Sequence, residues 1–147
     1  MLFRTYGQAV LVAHERSSRL TRIIRQKSKG AQHALDSLMR IFKRLDSKLR
    51  RSVTFDNGSE FALHYKLADK FRIKTFFCDT HSPWQKGGIE NAIGRLRRPL
   101  PRKSDLVAVN QRQLDCLSAR YNDTPRKCLD FRTPMEVFQS FQKRCCT

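Results

Sequence analysis

The run Gln8–His14, QAVLVAH, is apolar without interruption between its two ends and is only as long as a strand. Glu15-Arg16-Ser17-Ser18 supplies turn residues, and Arg19–Arg25, RLTRIIR, reads as a strand that returns. Met1-Leu2-Phe3, ahead of Tyr6-Gly7, has the character of the end of an earlier strand. A chain with this opening starts inside a sheet. No apolar run reaches the ~18–20 residues of a membrane span, and no signal-peptide pattern precedes the strand.

The elements that follow alternate. Ala31, Ala34, Leu35, Leu38, Met39, Ile41, Phe42 and Leu45 recur at three- and four-residue spacing, one wide apolar helical face. A short strand at Ser52–Phe55 ends in the turn signal Asp56-Asn57-Gly58. Phe61, Tyr65, Ala68 and Phe71 predict a second helix, and Ile73–Phe77 another buried strand. The loop Cys78–Gly88 leads to a third helix, from about Gly88 to Arg97, stopped by Pro99. Leu114, Leu117 and Tyr121 mark a fourth, and Thr133-Pro134-Met135-Glu136 carries the capping box of a last one. This order predicts a mixed α/β sheet with helices packed against it. No internal repeat interrupts it, and the short basic stretch Lys43–Arg51 reads as a solvated connection.

Charge says what such a domain meets. The 147 residues make one domain, with 30 Lys+Arg against 13 Asp+Glu and a formal charge of +17. Self-repulsion of that size points to a polyanion, and nucleic acid is the usual one. The charge is uneven: residues 1–55 balance to +10, residues 56–90 hold 5 basic and 5 acidic side chains, and residues 91–147 balance to +7. Carboxylates therefore persist between two basic flanks. Five cysteines, an odd number with no C-x-x-C pair, argue against a disulfide framework or zinc module and for a reducing cytoplasm.

Two of those carboxylates stand out. Asp56 directly follows a strand, where a sheet end can build a site; it could equally do no more than start the turn. Glu90 lies beside apolar Ile89, Ile93 and Leu96, on a helical face with Lys86, Gly94 and Arg97. It could bind a metal next to a polyanion, or form an ordinary Lys86–Glu90 surface pair worth ~0.2–0.5 kcal/mol. Cys78 and His81 lack two further ligands at metal-binding spacing. Cys145-Cys146 read as exposed thiols, His14 and His33 as structural or surface residues, and Phe76 and Phe77 as core.

The runs TFDNGSEF (54–61), HSPWQKGGIEN (81–91) and YNDTPRKCLDFRTPMEVF (121–138) decide between these readings. Together they resemble the bacterial insertion-sequence DDE transposases, and within them the IS-thirty-like group. In that group 33 residues separate the last two catalytic acids, the same number that lies between Asp56 and Glu90. The resemblance implies a ribonuclease-H-like, integrase-type core over residues 1–141, with helices on both sheet faces and a short tail at 142–147. It implies Asp56 and Glu90 as catalytic and metal-binding acids for two Mg²⁺ or Mn²⁺ ions. Asn57, Trp84 and Gln85 would shape the site or approach DNA, while Lys86, Arg95, Arg97 and Arg98 would contact phosphates.

The family's first Asp would fall a residue or two ahead of Met1 by this register. Glu15, Asp36 and Asp46 are the acids before Asp56, and Glu15 is the nearest in place to a substitute. The resulting expectation is a transposase core that binds DNA, together with another copy or with an intact transposase, but cuts poorly by itself. A non-catalytic DNA-binding remnant or competitor is the alternative, and RNA binding by charge alone is a distant third.

Overall fold

The computed structural model describes residues 2–5, 8–80, 82–100 and 108–145; of Leu2–Thr5, Gln8, Pro83 and Cys145 it describes the backbone alone. The expectations for His81 and for the Cys145-Cys146 thiols lie outside the described residues or side chains. Strands β1 (Leu2–Thr5), β2 (Gln8–His14) and β3 (Thr21–Gln26) form an antiparallel sheet in chain order. Leu2 stands opposite Leu11, and Leu11 opposite Ile24. After helix α1 (Ala31–Lys43) come β4 (Ser52–Phe55), α2 (His64–Phe71) and β5 (Lys74–Phe77), and β4 pairs with β5 in parallel. Helices α3 (Gly87–Leu96), α4 (Gln111–Asn122) and α5 (Pro134–Cys145) complete the chain.

Strand β2 is apolar between its two ends because both of its faces are covered. Ala9, Val10, Leu11 and Val12 are each at most 2% exposed. Leu11 points to a core made with Leu35, Leu38 and Phe42 of α1, Phe55 of β4, Leu67 of α2 and Ile73. Val10 and Val12, one residue out of phase, point the other way to Ile93 and Leu96 of α3 and Leu114 of α4. One strand thus carries two cores on alternate residues, each fully buried aliphatic side chain stabilising the fold by roughly 1.5–3 kcal/mol.

Edge strand β3 is sealed by side chains rather than by another strand. On α4, Asn122 accepts from the Thr21 amide at 2.9 Å through Oδ1 and donates to the Thr21 carbonyl at 2.9 Å through Nδ2. Ser118 donates to the same carbonyl at 2.6 Å. One strand-period further on, Gln111 donates to the Ile23 carbonyl at 2.9 Å and accepts from the Arg25 amide at 2.8 Å. These bonds satisfy the outward backbone groups that would otherwise template pairing with another chain.

The capping box at Thr133 is present: Glu136 accepts from the Thr133 amide at 2.7 Å, and Thr133 accepts from the Glu136 amide at 3.2 Å. A second box, which the sequence reading missed, joins Asn110 and Gln113 at the start of α4. Strand β5 departs from expectation in its surroundings. Phe76 and Phe77 are 51% and 40% exposed, not core. The physical reason is that, among the described residues, helix α2 packs on the face that carries Thr75 and Phe77, while the face of Phe76 is exposed. Thr75 and Phe77 face α2, where His64 bonds Thr75 at 3.1 Å and meets the Phe77 ring edge-on at 4.8 Å. Lys74 and Phe76 point away from it, level with exposed Ser52 and Thr54 of β4.

Candidate active site

Phe55 anchors the end of β4. Its ring is buried, stacked on Phe61 at 4.7 Å and tilted against Phe77 at 5.7 Å, which fixes where the next residue emerges. That residue is Asp56. Its Oδ1 is buried and has no hydrogen-bond partner, an arrangement that costs on the order of 1–3 kcal/mol unless something binds there. Around it the ends of β4 and β5 are tied together. The Cys78 amide donates to the Phe55 carbonyl at 2.9 Å, and Asn57 Nδ2 donates to the Cys78 carbonyl at 2.9 Å.

The loop that follows is closed by a ring of two bonds. Gln85 accepts from the Asp79 amide at 2.9 Å and donates to the Asp79 carboxylate at 2.7 Å. This brace holds a single helical turn at Pro83–Lys86, with Trp84 75% exposed at its tip and Lys86 half-buried. Helix α3 begins directly afterwards and carries Glu90, exposed, in its first turn, where a negative charge is favoured by the helix dipole. Its buried stripe, Ile93 and Leu96, docks it on β2. Arg95 bonds Asn91 at 3.0 Å, Arg98 is exposed, and Arg97 is half-buried at the helix end.

The seat of α3 is a contact that no motif announced. A Cβ on Gly88 would lie 3.1 Å from Arg19 Nη1 and 3.3 Å from His14 Nε2, closer than an ordinary contact, so glycine lets the helix start beside the β2–β3 turn without displacing either side chain. His14 is held through Nδ1 by Thr21 Oγ1 at 3.0 Å. Burial, followed by the Arg19 guanidinium, lowers its pKa to about 4 against the opposing pull of Glu15, so the ring facing Gly88 is neutral at ordinary pH. The double glycine ahead of Glu90 was the available signal.

Glu15 is committed to the turn itself. It accepts from the Ser17 and Ser18 amides at 2.9 and 2.6 Å and from the Ser18 hydroxyl. Burial pushes its pKa up, but these bonds outweigh that and hold the carboxyl below its usual range. Both of its carboxylate oxygens are thus engaged within the β2–β3 turn. Among the described residues, no three His, Cys, Asp or Glu side chains stand close enough together to hold a metal ion. Asp56 and Glu90 sit on separate elements with no hydrogen bond between them. Cys78 is buried beside the β5 end.

No protein-family model matches the chain. The transposase InsI for insertion sequence element IS30A of Escherichia coli K12 is 39% identical to it over 125 residues, 85% of this chain and 33% of that protein. The transposase for insertion sequence element IS1086 of Cupriavidus metallidurans CH34 is 37% identical over 129 residues, 88% of this chain and 38% of that protein. The chain thus spans about a third of the length of the curated relatives it matches. The crystal structure of the catalytic core domain of BIV integrase superposes with a TM-score of 0.73, covering 99% of this chain and 96% of that one at 18% identity. At that identity the likeness establishes the fold, an integrase-type, ribonuclease-H-like core.

Proposed function

This chain is a homologue of the IS30-family insertion-sequence transposases over most of its own length, and we propose that it supplies the catalytic-core segment of DNA transposition. Residues 1–141 form that segment in this reading. The observation that carries it is the buried, unpartnered Oδ1 of Asp56 at the end of β4. A hard carboxylate oxygen with an unused lone pair suits Mg²⁺ or Mn²⁺, which prefer oxygen ligands and retain several waters. When bound, such ions lower the pKa of an attacking water or 3′-hydroxyl and stabilise the leaving oxygen.

The chain's own residues do the rest. Asp56 and Glu90 provide ligand oxygens from two rigid elements. Asn57 and Gln85 act through the bonds that fix the ends of β4 and β5 and the loop before α3, so they shape the site. Trp84 projects from that loop toward solvent, placed to meet DNA. Lys86, Arg95, Arg97 and Arg98 line the helix that carries Glu90 and hold the phosphate backbone against it. DNA is the partner, and a second copy or a longer transposase shares the work. The site of action in this reading is DNA in the cytoplasm; among the described residues no helix is long and apolar enough to cross a membrane.

Calorimetric titration with Mn²⁺ tests the reading: weak binding is expected for the unaltered chain, reduced at least tenfold by Asp56→Asn and by Glu90→Gln. Affinity for DNA in the absence of metal should stay the same or rise. Equal Mn²⁺ binding by all three proteins would remove Asp56 and Glu90 from the site. A second reading, a DNA-binding module without catalysis, draws on the absence of a three-acid cluster among the described residues. Metal-dependent strand cleavage that vanishes with Asp56→Asn excludes it.

A further inference from the structure

The uncovered face of β4–β5 has a composition unlike that of a protein interface. It presents Ser52 and Thr54 from one strand and Lys74 and Phe76 from the other, all exposed, with Thr54 directly opposite Phe76. A surface made to bury another protein has an apolar centre of several residues. Here a single aromatic ring, 51% exposed, stands among two hydroxyls and a cation. Arg51 precedes β4 and Arg72 lies between α2 and β5, and both are exposed, so the rim is basic. A flat π-surface within a positive rim is the arrangement that binds an unpaired base and its phosphate, because every base has a face to stack and every nucleotide a charge to neutralise.

Position makes the shelf relevant to the site. Asp56 directly follows β4, two residues beyond Thr54. The pairing continues past the strand ends through the bond from the Cys78 amide to the Phe55 carbonyl. Two strand residues span roughly 7 Å, about two base steps along a nucleic-acid strand. A DNA strand that brings a phosphate to Asp56 therefore passes Phe76 within its next one or two nucleotides.

We propose that Phe76 is a stacking platform for an unpaired DNA base next to the phosphate held at Asp56, with Lys74 neutralising the adjoining phosphate. This rests on the catalytic-core reading and adds to it a substrate preference: DNA that is frayed or single-stranded beside the reacting bond. Helix α2 cannot serve in its place, since it lies against the opposite face through His64, Thr75 and Phe77.

The test is fluorescence anisotropy of the full chain with a labelled single strand and with the matching blunt duplex. Phe76→Ala should weaken single-strand binding about five- to a hundredfold and leave duplex binding within twofold. Phe76→Trp should restore it and Phe76→Leu should not, because a leucine keeps the apolar surface without the π-face. A single strand carrying 5-iododeoxyuridine should photo-crosslink to the peptide containing Phe76, a readout independent of variant stability. Unchanged single-strand affinity in Phe76→Ala, or full affinity in Phe76→Leu, overturns the proposal. So does a dimer in sedimentation that Phe76→Ala dissolves, which would give this face to a second copy. In each of those outcomes the unaltered chain still binds DNA and the catalytic-core reading survives. If the unaltered chain binds neither DNA, that reading falls first.

Discussion

Val10 and Thr54 occupy comparable places, each inside a strand of the same molecule, and their surroundings differ completely. Val10 is 1% exposed, closed in by Ile93, Leu96 and Leu114, while Leu11 beside it is closed in from the other side by α1. Thr54 is open to solvent although its neighbour Phe55 is 4% exposed. The β1–β3 half has a buried central strand and a sealed edge; the β4–β5 half is covered on one face and open on the other. Both halves are anchored through α1, whose apolar stripe packs against Leu11 and Phe55 together. The closed half holds the fold, and the outer face of the open half, with Ser52, Thr54, Lys74 and Phe76, is exposed.

The largest test of that division is a pair of truncations. Leu114 is 0% exposed and lies in the core of the closed half, so Leu114→Ala should destabilise the chain by about 2–5 kcal/mol. Thr54→Ala on the open face should stay within about 0.5 kcal/mol. Both are read from urea unfolding midpoints. Similar losses at the two positions would mean that the open face is covered in solution.

Next in size is the sealed edge. Asn122→Ala leaves the buried Thr21 amide without its partner and should cost about 1–3 kcal/mol. Gln111→Ala in addition should expose the β3 edge and promote concentration-dependent aggregation, measured by light scattering. A monomeric, fully soluble double variant would show that the amide clamps are dispensable. No reading of the chain foresaw them. Asn122 and Thr21 are 101 positions apart, and a bond between an amide side chain and a backbone group leaves no periodic trace. The apolar run of β2 was legible because a strand buried on both faces cannot be written any other way. The family was legible through the spacing and neighbours of the motif residues, and the capping box at Thr133 through residue type. Phe76 was misread because Ile73–Phe77 has the same strand chemistry whether or not a helix lies over it. The seat of Gly88 on His14 and Arg19 was hidden for the reason that hid the clamps: its parts come from distant positions and carry no shared pattern.

His14 gives a smaller, pH-dependent version of the same comparison. Its pKa is 6.5 in the unfolded chain and is lowered to about 4 by burial in the closed half. Between those values the unfolded chain binds more protons, so stability is whole above pH 6.5, falls as the pH drops toward 4, and levels off below. Allowing for the partial exposure of the ring, the step is on the order of 1–2 kcal/mol. Glu15, whose carboxyl is held below its usual range, adds a loss that begins only as the pH falls below about 4.5. Unfolding midpoints measured across this range should show a decline starting near pH 6.5, and His14→Gln should flatten its upper part. A profile that stays level down to pH 5 in the unaltered protein would place His14 in water rather than against α3.

The smallest change in stability is expected where the change in function is largest. Asp56→Asn removes a charge from a buried oxygen that has no partner, so the folded chain loses no bond and gives up a desolvation cost. Stability should hold constant or rise by up to about 1 kcal/mol, in the same urea series that registers Leu114→Ala as a severe loss. The sign is what discriminates. A side chain kept for the fold is missed when it is replaced, whereas one kept for a ligand is relieved. If Asp56→Asn lowers stability by more than about 1 kcal/mol, Asp56 is a structural turn residue, and the open half of the sheet has lost the group that made it a site.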